Sequence, residues 1–399
     1  MTVWDSLVGQ TEVIDRLKAA AADAHLQVPG SAMTHAWLMT GPPGSGRSIA
    51  ATALAAALVC RNGGCGECPD CVGVRAATHP DVEVIKPEGL SYRTADARAL
   101  VTRASIAPAR SRWHVSVVED ADRLTETANN VLLKAIEEPP PRAVWVLCAP
   151  GVEDVLPTIR SRCRQVMLRT PSPAEVAAFL AATDGVDHAT ALFAARAAQG
   201  HVGRARVLAR DSDARTRRHE ILSVPSRLRD LQACMDAAAE VVHTAKLDAT
   251  ALTAPLDEKE REDLLLAWGE GAEGRGLKGP VRGVKGALKE LEDRQASRRN
   301  RTQRDQLDRA LVDLLAYFRD VLAIQFAEQS GEENPVLINE ELHSDIDRAA
   351  QSSDPVATMR RIDAIERARL ALTANVTPLL AIEALTIDLR NPSLRRSPA

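Results

Sequence analysis

Short apolar runs alternate with helical patterns through about the first 170 residues of the chain. The first run, HAWLMTG (35–41), leads into a glycine-rich turn and then a helical pattern. Thr125 is the predicted N-cap of a later helix, which prolines end. Strands that alternate with helices in this way predict a parallel α/β sheet. The predicted strands are 35–41, 81–87, 113–120, 143–150 and 165–170, and the predicted helices are 48–60, 96–106 and 125–140.

The pattern changes after TPSP (170–173), where short alanine-rich helical pieces follow. They predict a small helical domain at 173–212, after an α/β domain at 1–172. The remainder of the chain, 213–399, is predicted to be an all-α domain.

Two stretches of this last domain are distinctive. The segment 307–326 carries the apolar stripe of an amphipathic helix, at positions 307, 311, 314, 315, 318, 321 and 322. The glycine-rich segment 269–286 is predicted to be a flexible loop or hinge, inserted between helices.

Composition and charge restrict the class of protein to which the chain can belong. Apolar residues make up 45% of the chain but aromatic residues only 3%, so we expect a core of mainly Ala, Leu, Val and Ile. The net charge is −4, whereas a domain that binds duplex DNA on its own is usually basic. No apolar run reaches the ~18 residues of a membrane span, and the N-terminus shows no signal-peptide pattern. We therefore expect a cytoplasmic protein without a membrane partner, in which cysteines do not form a disulfide framework.

The stretch GPPGSGRS (41–48) is close to the phosphate-binding pattern G-x-x-x-x-G-K-[ST]. Gly41, Gly44 and Gly46 would let backbone N–H groups approach phosphate oxygens, and Ser48 would ligate Mg²⁺. Arg47 stands where the pattern has lysine, and its longer, forked side chain is not equivalent at a close-fitting site. Nucleotide binding could survive this change, whereas an aligned transfer geometry is not expected to. The alternative is a glycine-rich turn without function.

Two adjacent acids follow the strand at 113–120. An NTPase places Asp first to hold Mg²⁺ and, in many families, Glu next to polarise the attacking water. Here the order is Glu119 then Asp120, so neither side chain has the length its position requires. The alternative is that the pair caps the next helix.

Four cysteines lie close together in CRNGGCGECPDC (60–71). Their C-x₄-C-x₂-C-x₂-C spacing fits tetrahedral Zn²⁺, and an iron–sulfur cluster is the chemical alternative. All four ligands would be protein thiolates, so the metal is expected to be structural rather than catalytic. The four candidate ligands are Cys60, Cys65, Cys68 and Cys71.

Several motifs together resemble the bacterial DNA polymerase III clamp loader, a branch of the AAA+ ATPases. The resemblance covers essentially the whole chain, although it is faint between about 213 and 360. It implies an AAA+ domain with a zinc module, a helical lid and a C-terminal collar domain that joins subunits in a ring. The motifs are LVGQ (7–10), HAWLMTGPPGSGRS (35–48), ANNVLLKAIEEPP (128–140), LPTIRSRC (156–163) and NVTPLLAIEAL (375–385).

Within this family the gamma/tau motor subunits hydrolyse ATP and the delta-prime subunit does not. Besides Arg47 and the reversed acids, the chain reads CAPG (148–151) where motor subunits carry a polar Thr. Gly203 stands where their lid helix carries a sensing arginine, and Arg204 is one position off. These departures imply a delta-prime type of subunit, a non-catalytic part of the polymerase holoenzyme, whose own site binds ATP or ADP weakly or not at all.

The SRC motif, Ser161, Arg162 and Cys163, is intact. In the family, the arginine of this motif reaches the ATP of a neighbouring subunit and stabilises charge that builds on the γ-phosphate. The resemblance gives that role to Arg162. The alternative is a surface arginine in a salt bridge, in a turn that Arg160 and Arg164 also make basic.

The resemblance also implies partners. These are gamma/tau and delta subunits in a hetero-pentamer, the sliding clamp, and primed DNA through the assembled complex. Two rival functions stay open: an active motor subunit with an unusual loop, and a non-replicative AAA+ adaptor. The arginine-rich stretch 294–304 is either a phosphate-contacting strip or, as we favour, a solvated helix face or loop.

Overall fold

The computed structural model describes residues 1–26, 32–87, 89–92, 94–268, 284–331 and 335–392. The chain divides into two compact units, Met1–Asp211 and Ser212–Ala399. Most of the predicted glycine-rich loop, 269–283, lies outside the described residues.

The first unit is built around a parallel sheet. Among its described residues, five parallel strands pair in the order β2-β3-β4-β1-β5. Every residue of β1, β3 and β4 is buried, as expected for a parallel sheet that helices cover on both faces. The predicted parallel α/β sheet is therefore confirmed. The strands are β1 (Ala36–Thr40), β2 (Val82–Ile85), β3 (His114–Val118), β4 (Ala143–Ala149) and β5 (Arg164–Met167).

Helices cover the two faces of this sheet. Successive residues of β1 point to opposite sides, so Trp37 and Met39 pack in one core with α2 while Leu38 packs in another with α5. Thr125 caps α5 by accepting a hydrogen bond from the Ala128 N–H at 3.3 Å, which confirms the predicted cap. These helices are α1 (Thr11–Leu26), α2 (Arg47–Val59), α3 (Pro69–Arg75), α4 (Thr94–Ala104), α5 (Glu126–Glu137) and α6 (Pro157–Arg160).

Short helices complete the first unit: α7 (Pro173–Asp184), α8 (His188–Ala197) and α9 (Val202–Arg210). A capping box begins α7, in which the Ser172 side chain accepts from the Glu175 N–H and the Glu175 carboxylate accepts from the Ser172 N–H. That these helices form a domain of their own stays a prediction.

The described part of the second unit is helical. Its longest helix contains the predicted stripe, and Leu307, Leu311 and Phe318 are buried in the core of the unit. No helix within the described residues of the chain is both long and apolar enough to cross a membrane. The helices are α10 (Ser212–Arg227), α11 (Leu231–Ala267), α12 (Val284–Ser330), α13 (His343–Gln351), α14 (Pro355–Thr373) and α15 (Pro378–Arg390).

The arginine-rich stretch 294–304 lies within α12, and several of its side chains are bound inside the unit. Arg298 pairs with Asp257 at 2.6 Å and also with Glu260, both on α11. Arg304 donates to the carbonyl of Leu372, at the end of α14. Arg298 and Arg304 therefore join α12 to other helices and do not belong to a merely solvated face, while contact with phosphate stays untested.

Candidate functional site

The glycine-rich loop lies between β1 and α2 and has the backbone that glycine permits. Gly41 and Gly44 have φ angles of 151° and 87°, and Gly46 begins α2 in the left-handed region. A Cβ at Gly41 would lie 2.5 Å from the Leu168 carbonyl oxygen and 2.6 Å from Ser45 Oγ. The loop therefore retains the close-packed turn of a phosphate-binding pattern.

The loop is also held from outside. The Gln10 side-chain amide donates to the Ser45 carbonyl at 3.2 Å and to the Arg169 carbonyl at 2.6 Å. His201, the N-cap of α9, lies so close to Gly44 that a Cβ there would be 2.6 Å from the His201 Cα. Gly203, in the first turn of the same helix, supplies no side chain that could sense a nucleotide.

Arg47 does not point freely out of the loop. Its guanidinium donates a hydrogen bond to the carbonyl oxygen of Gly41, at the start of the same loop. In the phosphate-binding pattern the cation at this position reaches phosphate oxygens instead. Ser48, the next residue, is half-buried in the first turn of α2.

The acids that follow β3 are likewise engaged. Glu119 is largely buried, and its carboxylate pairs with Lys86 Nζ at 3.0 Å. Asp120 has a φ of 49°, the left-handed region that an Asp tolerates better than most residues. Glu119 occupies the position that holds Mg²⁺ in an NTPase, and a carboxylate that is paired with lysine is less able to hold that ion, so the geometry does not favour hydrolysis.

A third acid lies beside them and was not predicted. Burial, and next the charge of Asp120, raise the pKa of Asp122, while Arg47 acts in the opposite direction. Burial, and next the charge of Glu119, raise the pKa of the Cys148 thiol at the end of β4. The loop at 41–48, the acids after β3 and Cys148 all lie at the carboxyl ends of parallel strands, which meet at one edge of the sheet. The Glu-Asp-x-Asp spacing was the available signal for Asp122.

The SRC motif follows α6 in a turn that the core anchors. Ile159 is fully buried, and burial raises the pKa of the Cys163 thiol to about 12. Ser161 Oγ donates to the Thr158 carbonyl at 3.0 Å, which closes the turn. The backbone that carries Arg162 is thus fixed, whereas the side chain itself is exposed.

Within the described residues, Arg162 makes three polar contacts. One guanidinium nitrogen lies 2.9 Å from the Thr158 carbonyl and 3.2 Å from Ser161 Oγ. The other lies 2.7 Å from the carboxylate of Glu137, and the two side chains of this pair are 41% and 38% exposed. The salt bridge that was the alternative interpretation of Arg162 is therefore present in the single chain.

The four predicted cysteines come together in space. Their sulfur atoms all lie within 4.8 Å of one another, and those of Cys65 and Cys68 are 3.8 and 3.6 Å from that of Cys60. Tetrahedral Zn²⁺ with Zn–S bonds of about 2.3 Å would separate its sulfurs by about 3.8 Å. The cysteines are free thiols, and the cluster could hold a metal such as zinc.

Backbone N–H groups also point at these sulfurs, as a thiolate requires. The Asn62 N–H donates to the Cys60 sulfur at 3.3 Å, and the Cys68 N–H donates to the Cys65 sulfur at 3.4 Å. Hydrogen bonds from the N–H groups of Glu67 and Cys68 lower the pKa of Cys65 to about 7. Burial, in contrast, raises the pKa values of Cys68 and Cys71. The N–H groups are thus the part of this set that favours a metal-bound thiolate.

Comparison with known proteins identifies similar proteins. Residues 9–172 match the family described as DNA polymerase III, delta subunit. The gamma/tau subunit of Mycobacterium tuberculosis is 34% identical over 180 residues, which are 44% of this chain and 30% of that protein. The delta' subunit of Bacillus subtilis is 32% identical over 165 residues, 41% of this chain and 50% of that protein.

A solved structure is similar over a longer span. It is a gamma-subunit-related protein of Thermotoga maritima, 15% identical, with a TM-score of 0.43 over 93% of this chain and 98% of that one. The chain spans half or less of the two curated relatives described above. Matches to gamma/tau and to delta' subunits are of similar strength, so they do not distinguish these types. Residues 9–172 are therefore similar to subunits of the DNA polymerase III clamp loader.

Proposed function

We propose that the chain is the delta-prime subunit of a clamp loader, which helps to place the sliding clamp on primed DNA. It would do so within a hetero-pentamer of gamma/tau and delta subunits in the cytoplasm. One observation favours a delta-prime subunit over a gamma/tau motor subunit. The Arg47 guanidinium binds the Gly41 carbonyl of its own loop.

ATP hydrolysis at the chain's own site would need charged side chains that are bound to other groups of the protein. The cation at position 47 and the carboxylate of Glu119 both have partners within the protein. CAPG (148–151) stands where the family's motor subunits carry a polar Thr, and Gly203 stands where they carry a sensing arginine. We therefore infer that this pocket binds ATP or ADP weakly or not at all.

The catalytic contribution of the chain would be made in trans. Arg162 projects from a turn that the core fixes, so its guanidinium can change partners without movement of the backbone. An arginine supplied across a subunit boundary stabilises the charge that builds on a transferred γ-phosphoryl group. We assign this role to Arg162, with Ser161 and Cys163 holding the turn.

The cysteine cluster would bind Zn²⁺ as a structural ion. Cys60, Cys65, Cys68 and Cys71 supply four thiolates, which leaves no coordination position for a substrate. When bound, the metal would hold the segment between α2 and α3 in its fold. The chain's own residues provide the N–H groups that stabilise the thiolates.

A motor subunit is the second candidate. The gamma/tau relative of M. tuberculosis is 34% identical, against 32% for the delta' relative of B. subtilis, which keeps this function open. The two candidates differ in whether the loop at 41–48 turns over ATP.

Reconstitution with gamma/tau, delta and clamp proteins of the same organism tests the proposal. We expect the chain to co-elute with these subunits and to release no phosphate from ATP when alone. We also expect Ser48→Ala to leave the turnover of the assembled complex unchanged. A turnover that Ser48→Ala abolishes would identify a motor subunit, whereas failure to co-assemble would favour a non-replicative AAA+ adaptor.

A further inference from the structure

We propose that Glu137 is a releasable counter-ion for Arg162, which holds the guanidinium until the triphosphate of a neighbouring subunit displaces the carboxylate. This inference rests on the proposed role of Arg162 and adds a positioning residue to it. The juxtaposition that carries it is the 2.7 Å pair between the end of α5 and the turn after α6.

The two ends of the guanidinium have different kinds of partner. One nitrogen is bound by Thr158 and Ser161, which belong to the same turn as Arg162. The other nitrogen is bound by Glu137, which belongs to a different helix. Exchange of the carboxylate for a phosphate oxygen would therefore leave the first set of contacts in place, so the arginine keeps its orientation.

The position of Glu137 in its helix supports a role outside that helix. It is the last residue of α5, and a carboxylate at a helix C-terminus lies against the negative end of the macrodipole. Helix stability alone would thus favour another residue here. Pairing with Arg162 compensates the unfavourable charge, which accounts for a carboxylate at this position.

The pair is also weak enough to exchange. Both side chains are more than a third exposed, and exposed ion pairs contribute little to stability. A triphosphate carries several negative charges and binds arginine through charge-assisted hydrogen bonds. Since only the released fraction of Arg162 can engage ATP, the carboxylate raises the apparent dissociation constant at that boundary.

The test is the steady-state ATP turnover of a reconstituted complex with primed DNA and clamp. The motor subunits at the other boundaries of this complex carry an inactivating change in their phosphate-binding loops, so that ATP is hydrolysed only at the site that faces Arg162. Glu137→Gln keeps the shape of the side chain but removes its charge. We expect it to lower KM for ATP about two- to fivefold, the range that an exposed pair permits, and to leave kcat within about twofold. Glu138→Gln is the matched control, because within the described residues Glu138 forms no ion pair, and it should leave both constants unchanged.

A second comparison separates this inference from the role of Arg162. In an Arg162→Ala background, Glu137→Gln should have no further effect on KM. An unchanged KM for Glu137→Gln, while Arg162→Ala slows turnover, would overturn the counter-ion role alone. A kcat that falls with Glu137→Gln would instead show that the carboxylate holds Arg162 in its active position. If Arg162→Ala leaves turnover unchanged, the proposed function and this inference both fail.

Discussion

The guanidinium of Arg47 donates a hydrogen bond to the carbonyl oxygen of Gly41. The cation of the candidate phosphate-binding loop is thus already bound within that loop. The same edge of the sheet contains a second internal pair, between Glu119 and Lys86 at 3.0 Å. Two separate groups of the candidate nucleotide site thus have partners within the protein. Restoring one of them should not restore the other.

We therefore predict that Arg47→Lys does not create ATP hydrolysis. The lysine would restore the cation of the phosphate-binding pattern, while Glu119 stays paired and Gly203 still supplies no sensing side chain. The measurement is phosphate release by the purified variant. Phosphate release that a further Ser48→Ala change removes would contradict the prediction.

Metal analysis of the purified protein should find about one zinc per chain. Cys65→Ser should weaken zinc binding by more than about tenfold, because even loss of an outer partner of a metal ligand costs that much. It should also lower the midpoint of thermal unfolding, because binding energy at a structural site is folding energy.

Cys234→Ser is the control for the zinc prediction. This cysteine is buried in the core of the second unit, and its replacement should leave the zinc content unchanged. Iron in place of zinc, or well-folded protein without any metal, would contradict the assignment.

The capping box of α7 should make stability depend on pH. Hydrogen bonds from Arg169, then from Ser172, lower the pKa of Glu175 from 4.5 to about 2. The carboxylate therefore stabilises the fold above about pH 4.5, and this contribution is lost as the pH falls toward 2. Glu175→Gln should lower the free energy of unfolding at pH 7 by about 1 kcal/mol or less, because the pair is exposed.

Urea unfolding at pH 7 and near pH 2 measures this difference between Glu175→Gln and the wild type. The difference should shrink at the lower pH. A difference of the same size at both pH values would show that the charge of Glu175 does not contribute.

Arg298 should stabilise the contact between α11 and α12. It is 22% exposed and binds two carboxylates, Asp257 and Glu260. Arg298→Ala should lower the free energy of unfolding by about 1.5–3 kcal/mol, the range for hydrogen bonds to charged groups. Exposed Lys289, earlier in the same helix, supplies the control Lys289→Ala, which should cost less than about 0.5 kcal/mol.

The same variant tests whether α12 contacts phosphate. Arg298→Ala should not change the salt dependence of DNA binding by the assembled complex, because its charge is already neutralised within the protein. The slope of log K against log salt concentration reports the number of phosphate contacts. A slope that decreases by the amount expected for about one contact would show that Arg298 does reach DNA.

Local patterns predicted much of the fold. Uninterrupted apolar runs identified strands such as β1 and β4, the Thr125 cap identified the start of α5, and the spacing at 60–71 identified the cysteine cluster. Each of these depends on residues that are close in sequence. Backbone periodicity and short ligand spacings are therefore sufficient to find them.

Side-chain partners far along the chain could not be predicted in this way. Arg298 lies 41 residues from Asp257, and Gln10 lies 35 residues from the Ser45 carbonyl that it binds. Nothing in the local pattern around Arg162 indicates Glu137 as its partner. Such pairs depend on how elements pack, and the single sequence carries no direct signal for that.

The most direct test of the account replaces Arg162 by alanine in the reconstituted complex, with Arg160→Ala as the control from the same turn. The measured quantity is ATP turnover at the site that faces this chain, together with assembly by gel filtration. We predict that Arg162→Ala assembles normally and lowers turnover there by ~10³ or more, while Arg160→Ala changes it little. Normal turnover in a fully assembled Arg162→Ala complex would contradict the central claim.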